Sequence, residues 1–179
     1  MTDTVSPIST TSTLNAVDIA AVAGLAERIQ SSPDVGATTW RASVSWERGL
    51  RSSASIREFA PIASDEPVSL GGTDTAPNPV EQLLAALGNC LAVGYAANAT
   101  AAGVAIDRLR VEHEGDLDLQ TFLGLDPDGH AGYTAIRATV DLDTDAPADV
   151  IDTLHRRVIA TSPVGHTLGR AIPVEIDLA

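Results

Sequence analysis

The sequence predicts an α+β fold, and three observations carry that prediction. Strand-like segments come in adjacent pairs, at residues 40–56 and 108–142. One long apolar helix separates the pairs, and an amphipathic helix with a last alternating segment follows the second pair. Paired strands favour antiparallel sheets with helices packed on them, whereas a doubly wound sheet alternates single strands with helices. A chain of 179 residues is one domain with at most an appendage.

The elements follow in order. Residues 1–13 are Ser/Thr-rich with little apolar content and read as a disordered tail. Over 14–33, Ile19, Val22, Leu25, Ala26 and Ile29 recur at helical spacing, giving an extension helix that stops at Ser31-Ser32-Pro33. The main domain then spans 37–179. Trp40, Ala42, Val44 and Trp46 alternate with polar residues, Arg48-Gly49 turns, and Leu50, Ser52, Ala54 and Ile56 return: a β-hairpin. A Gly/Pro/Asp-rich connection fills 61–76, with a short strand expected at Val68–Leu70. Asn78, Pro79 and Glu81 form the strongest helix start in the chain, a capping box with proline in the first turn. This helix should run from Pro79 to about Ala102. With no charge after Glu81, it should be surrounded by protein on most sides.

Leu109, Val111, His113, Leu117 and Leu119 alternate with charged residues, predicting a strand with an acidic outer face. Asp126-Pro127-Asp128-Gly129 is a turn, and Thr134, Ile136, Ala138, Val140 and Leu142 form the return strand. Asp145 is the expected cap of a helix carrying Val150, Ile151, Leu154 and Val158. Thr161-Ser162-Pro163 interrupts it before a short helical turn through Leu168, and Val174, Ile176 and Leu178 alternate as a final strand.

Composition narrows the function. Eleven basic residues, all arginine, against 24 acidic ones give a net charge of −13, and aromatics are 3%. Such a chain repels phosphate backbones and offers few stacking surfaces, so no nucleic-acid partner is expected. A single cysteine excludes an internal disulfide framework and a cysteine-rich metal site. No positive charge precedes Arg28, so neither a secretory nor a transit signal is read. The apolar run from Leu83 to Ile106 is broken by Asn89, Asn98 and three glycines, which suits a buried helix better than a membrane span. A cytoplasmic protein without a membrane partner is therefore expected. No metal-ligand spacing and no phosphate- or dinucleotide-binding motif is present, so no metal and no cofactor are expected.

Cys90 is the first candidate for chemistry. Mid-helix, it is either a small core residue or a nucleophile activated by a cation or histidine brought in by the tertiary structure. His113 falls on the apolar side of its strand, where it either lines a pocket or is a hydrogen-bonded core residue; Gly115 beside it could mark a bulge. His130 and His155 read as solvated.

The stretch from Asn78 to Ala92 (NPVEQLLAALGNCLA) resembles the cysteine helix of the OsmC/Ohr family. Ser162 to Leu168 (SPVGHTL) resembles the family's second site, and Glu114–Leu119 with Phe122–Leu125 resemble a middle segment of OsmC-like proteins. The likeness spans residues 37 to 179, and the three stretches occur in the family's order. It implies an OsmC-like fold: an intertwined homodimer with long central helices wrapped by curved antiparallel sheets, and sites at the subunit interface. It also implies reduction of organic hydroperoxides. A first cysteine becomes a sulfenic acid, a second closes a disulfide, and an external dithiol reduces it.

Residue by residue, Cys90 matches the first cysteine, and Ser162 stands where the second is expected. Val80 occupies the place of the family's helix-start glutamate, with Glu81 one position later and about 100° around the helix. The hairpin arginine that assists the thiolate is either Arg48 or Arg51. His166 lies one turn beyond Ser162, either near Cys90 or at the surface. The pattern is that of a divergent single-cysteine branch. The expectation is a thiol-dependent hydroperoxide reductase of the oxidative stress response, resolved by an external thiol reductant. The alternative is a non-catalytic dimer that binds a small apolar molecule or senses redox state.

Overall fold

A computed structural model describes residues 14–178; the expected tail at 1–13 lies outside the described residues. A 3₁₀ turn at Leu14–Ala16 precedes helix α1 (Ile19–Ser31). Helix α1 begins five residues later than periodicity alone suggests, because the Asp18 carboxylate accepts from the Ala21 N–H at 3.0 Å and caps it there. Asn15 ties this segment to the domain. Its Nδ2 donates to Thr100 Oγ1 (3.0 Å) and to the Val104 carbonyl (2.9 Å), and its Oδ1 accepts from the Ile106 N–H (2.9 Å).

Strands β1 (Ser43–Arg48), β2 (Arg51–Ser55) and β3 (Ile62–Ser64) form an antiparallel sheet in that order. The third strand was not expected. The strand expected at Val68–Leu70 is instead a 3₁₀ turn, closed by Gly71 in the left-handed region at φ 88°. The connecting loop is organised around Asp65, only 1% exposed, whose carboxylate accepts from Thr73 and Thr75, from both backbone and hydroxyl. The Thr73 hydroxyl, against the opposing effect of desolvation and with help from Thr75 and the Glu66 N–H, holds this carboxyl far below the usual range. A loop folded around its own charge has no need of ladder pairing at 68–70.

Helix α2 (Pro79–Ala101) carries the expected capping box: the Glu81 N–H donates to Asn78 Oδ1 (2.9 Å), and the Asn78 N–H to Glu81 Oε2 (2.8 Å). Strands β4 (Arg108–Leu117) and β5 (Tyr133–Asp143) pair antiparallel in a separate two-stranded sheet, with Val111 opposite Val140 and His113 opposite Ala138. Along β4 exposure alternates residue by residue. The outer face is charged: Arg108 pairs with Asp141, Arg137 with Asp116, and Arg110 with Glu112 at 2.7 Å. The short helix α3 (Leu119–Phe122), capped by Asp118, ends the strand pattern before Leu119.

Helix α4 (Ala148–Thr161) starts at Ala148 with Pro147 as its cap residue, so Asp145 is not the cap. The proline pushes the preceding residue out of helical backbone, and the helix cannot begin earlier. Helix α5 (Pro163–Leu168) follows after the predicted interruption. Residues 171–178 do not form the expected final strand. Among the described residues their alternation meets no strand edge, and Val174 and Ile176 stand 74% and 90% exposed.

The core is one stripe of α2 against α4 and the inner face of the β4–β5 pair. Leu87, Leu91, Tyr95 and Ala99, four residues apart, are buried with Val104, Leu154 and Val158. Gly94 permits the approach of α4, since a Cβ there would lie 3.0 Å from Val158 Cγ1. Helix α2 is long and apolar enough to cross a membrane by length and composition alone, yet it is the central helix on which β4, α4 and α5 pack. The expectation of protein on most of its sides does not hold within one chain. Its other face is open, with Val93 69% exposed, because one chain supplies cover for only one stripe.

Candidate functional site

Cys90 lies halfway along α2 and is half-buried. Its Sγ is 3.2 Å from Ser162 Oγ, 72 positions away in sequence. Ser162 ends α4 and caps α5, is 5% exposed, and its Oγ accepts from the Gly165 N–H at 3.1 Å. The Ser-Pro pair is thus a helix cap, as its residue types suggest, and also the side chain that meets the thiol. Cys90, Val93, Gly94, Ala97, Val158 and Ser162 line an open hollow of about 430 Å³ beside the sulfur. A half-buried thiol, a hydroxyl beside it and a mostly apolar lining can accommodate attack on a small organic electrophile.

The other predicted site residues fall elsewhere. Arg48 is exposed at the hairpin end. The Arg51 Nη1 donates to Thr75 Oγ1, which itself donates to Asp65, and its Nε is 3.6 Å from Glu47. Neither arginine lines the Cys90 hollow. Glu81 is the capping-box acid, and the Val80 carbonyl accepts from Tyr133 Oη at 3.0 Å. Burial and the Glu81 charge raise the Tyr133 phenol above its ordinary range. His166 is exposed on α5, away from the hollow.

His113 points inward from β4 onto α2. A Cβ at Gly88 would lie 2.9 Å from its Cε1, so the glycine makes room for the ring. Among the described residues its buried Nε2 has no hydrogen-bond partner, and burial lowers its pKa. Gly115 does not turn His113 outward. It sits beneath the Tyr133 ring, with a would-be Cβ 2.4 Å from Cε1, and the register shift falls between Asp116 and Leu117. A depressed histidine pKa means that the folded state favours the neutral ring. Its stability contribution is full above the unfolded value of about 6.5 and is lost as pH falls through the lower folded value. The stability of the wild type should therefore decline more steeply than that of His113→Leu as pH drops below 6.5, measured by urea midpoints. Parallel curves would refute the assignment.

One contact escaped sequence reasoning. Tyr95 Oη and His155 Nδ1 share a hydrogen bond, so the ring of His155 is engaged by the core although the residue is exposed. The contact between Cys90 and Ser162 is the one the family resemblance implies, with a serine in place of the second cysteine. A second apolar groove, about 470 Å³, lies between α2, β5 and α5, lined by Leu83, Leu87, Tyr133, Ile136 and Leu168 among others. Among the described residues no three His, Cys, Asp or Glu side chains gather as a metal site.

Fold and site together define an α+β domain whose central helix presents a single thiol to a serine at an interhelical cap. The chain belongs to the OsmC-like protein family, whose sequence pattern matches residues 72–177. Among solved structures it is similar to an OsmC-like protein from Mycoplasma pneumoniae, with a TM-score of 0.64 and 19% identity over 74% of this chain and 88% of that one. It is also similar to an organic hydroperoxide resistance protein OsmC from Legionella pneumophila (TM-score 0.54, 13% identity, 74% and 91% covered). An organic hydroperoxide resistance protein from Elizabethkingia anophelis gives a TM-score of 0.53 at 13% identity, with 73% and 87% covered. At these identities the likeness is one of fold. A search of the curated proteins finds no match.

Proposed function

We propose that this OsmC-like protein is a thiol-dependent reductase of organic hydroperoxides, with Cys90 as its nucleophile. The observation that carries the reading is the Cys90 sulfur, 3.2 Å from the Ser162 hydroxyl and facing an open, mostly apolar hollow. The thiolate attacks the terminal peroxide oxygen, the O–O bond breaks, and the alkoxide takes a proton and leaves as the alcohol. Cys90 is left as a sulfenic acid. Ser162 cannot close a disulfide, so an external thiol condenses with the sulfenic acid and releases water. A second external thiol then displaces Cys90 as a free thiol and leaves as the oxidised disulfide. No cofactor enters the cycle, and a cytoplasmic role in oxidative stress fits a thiol that must stay reduced.

The working form in this reading is an intertwined homodimer. Support comes from the uncovered apolar surface: Val93 on α2, Val44 and Trp46 on β1, and the segment carrying Val174 and Ile176 are all more than two-thirds exposed. An isologous contact would bury these faces by using each surface twice. It would also bring a hairpin arginine, Arg48 or Arg51, to a thiol that neither reaches within its own chain. Sedimentation should give a dimer at micromolar concentration; a monomer would remove this part of the reading.

The function is tested by consumption of an organic hydroperoxide with a monothiol as reductant. Cys90→Ser should lower turnover by about a thousandfold or more, because a hydroxyl at neutral pH does not replace a thiolate. Unchanged turnover would refute it. A second reading, binding of a small apolar molecule without turnover, is favoured by the 470 Å³ groove and by serine at position 162. Stoichiometric ligand binding with Cys90 left reduced by hydroperoxide would support it over the first.

A further inference from the structure

We infer that Ser162 is itself a catalytic residue, the hydrogen-bond donor that holds the Cys90 thiolate ready for reaction. The inference rests on the hydroperoxide-reductase reading and assigns a role to the residue that removes the second thiol from that cycle. Ser162 Oγ has two neighbours: the Gly165 N–H at 3.1 Å and the Cys90 Sγ at 3.2 Å. The amide can only donate, so it takes one lone pair of the hydroxyl oxygen and restricts how the hydroxyl turns. While Cys90 is protonated, either group can donate to the other. Once Cys90 is ionised only the hydroxyl can donate, and the sulfur then carries a full charge to receive it. The hydroxyl is therefore placed to donate to the thiolate.

Two further observations fit a fixed donor rather than a chance contact. Ser162 is 5% exposed, so water competes little for its hydroxyl. A Cβ at Gly165 would stand 3.0 Å from Ser162 Oγ and 3.2 Å from its Cβ, so glycine there leaves the serine its position. The same hydroxyl can accept from the sulfenic acid O–H after the first step, which keeps the oxidised sulfur oriented toward the open hollow and the incoming thiol.

The test is the pH profile of Cys90 alkylation by iodoacetamide in the full chain. It reads the thiolate without any peroxide, so its outcome is independent of turnover. Ser162→Ala should move the midpoint of the profile up by about one unit and slow alkylation several-fold at pH 7. Ser162→Thr, which keeps both the hydroxyl and the cap, should restore the wild-type profile. Ser162→Gly, which a helix cap tolerates at little cost and which adds no charge, has no hydroxyl to give, so it should shift the midpoint upward even if Ser162→Ala does not fold. A merely structural serine would change the rate equally at all pH and leave the midpoint in place. Superimposable midpoints for the wild type and the Gly variant would overturn the inference. Failure of the reductase reading would instead show as a wild-type thiol that hydroperoxide does not oxidise, whatever the alkylation profile.

Discussion

Ser162→Cys is expected to convert the single-thiol site into one that closes its own disulfide. The Cys90 Sγ and Ser162 Oγ stand 3.2 Å apart, and a disulfide needs sulfur atoms about 2.05 Å apart. The remaining distance is covered by small side-chain rotations, because Ser162 sits at the junction of α4 and α5 rather than inside either helix. After one equivalent of an organic hydroperoxide, Cys90 should become a sulfenic acid, the new thiol should condense with it, and one water should leave. The variant should then carry no titratable thiol and weigh two hydrogens less than its reduced form. The wild type under the same treatment should keep an oxygen on Cys90. One persistent thiol beside a sulfenic acid in the variant would show that the two side chains do not meet in solution.

Tyr95→Ala should be the most destabilising single substitution in the core. Tyr95 is 2% exposed and lies between Leu91 and Ala99 on the buried stripe of α2, and its Oη bonds to His155 Nδ1. Burial raises its phenol above the ordinary value, in keeping with a ring held in the neutral form. Removing a buried aromatic side chain costs about 3–5 kcal/mol, a large part of the ~5–15 kcal/mol that holds a domain folded. Tyr95→Phe keeps the ring and should cost only about 1 kcal/mol, the net contribution of one hydrogen bond. Urea unfolding would separate the two, and similar midpoints for both variants would place the weight on the hydrogen bond rather than on packing.

What the sequence disclosed depended on the range of the interaction. The start of α2 was legible because its signals, Asn78, Pro79 and Glu81, bond to one another within one turn. The inner face of β4 was legible from alternation, which put His113 on the apolar side; that this side meets α2 at Gly88 is a finding of the structure. The break between α4 and α5 was legible for the same local reason, from Ser162 and Pro163. Where the sequence misled, a distant partner decided the outcome. Val174, Ile176 and Leu178 alternate as a strand should, yet alternation does not create an edge to pair with. Val68–Leu70 has strand-like residues, but Asp65 gathers Thr73 and Thr75 around its charge and draws the loop into a turn. Cys90 and Ser162 were paired by the family resemblance, and the packing of α4 on α2 through Gly94 and Val158 is what holds them together.

The central claim is that Cys90 is a working nucleophile rather than a core residue. It is tested most directly by intact-mass spectrometry after one equivalent of an organic hydroperoxide, with a sulfenic-acid trap added in parallel. The account predicts one added oxygen, trapping at Cys90, and return to the reduced mass on addition of a monothiol. A chain whose mass and thiol content stay unchanged until it is unfolded would contradict it.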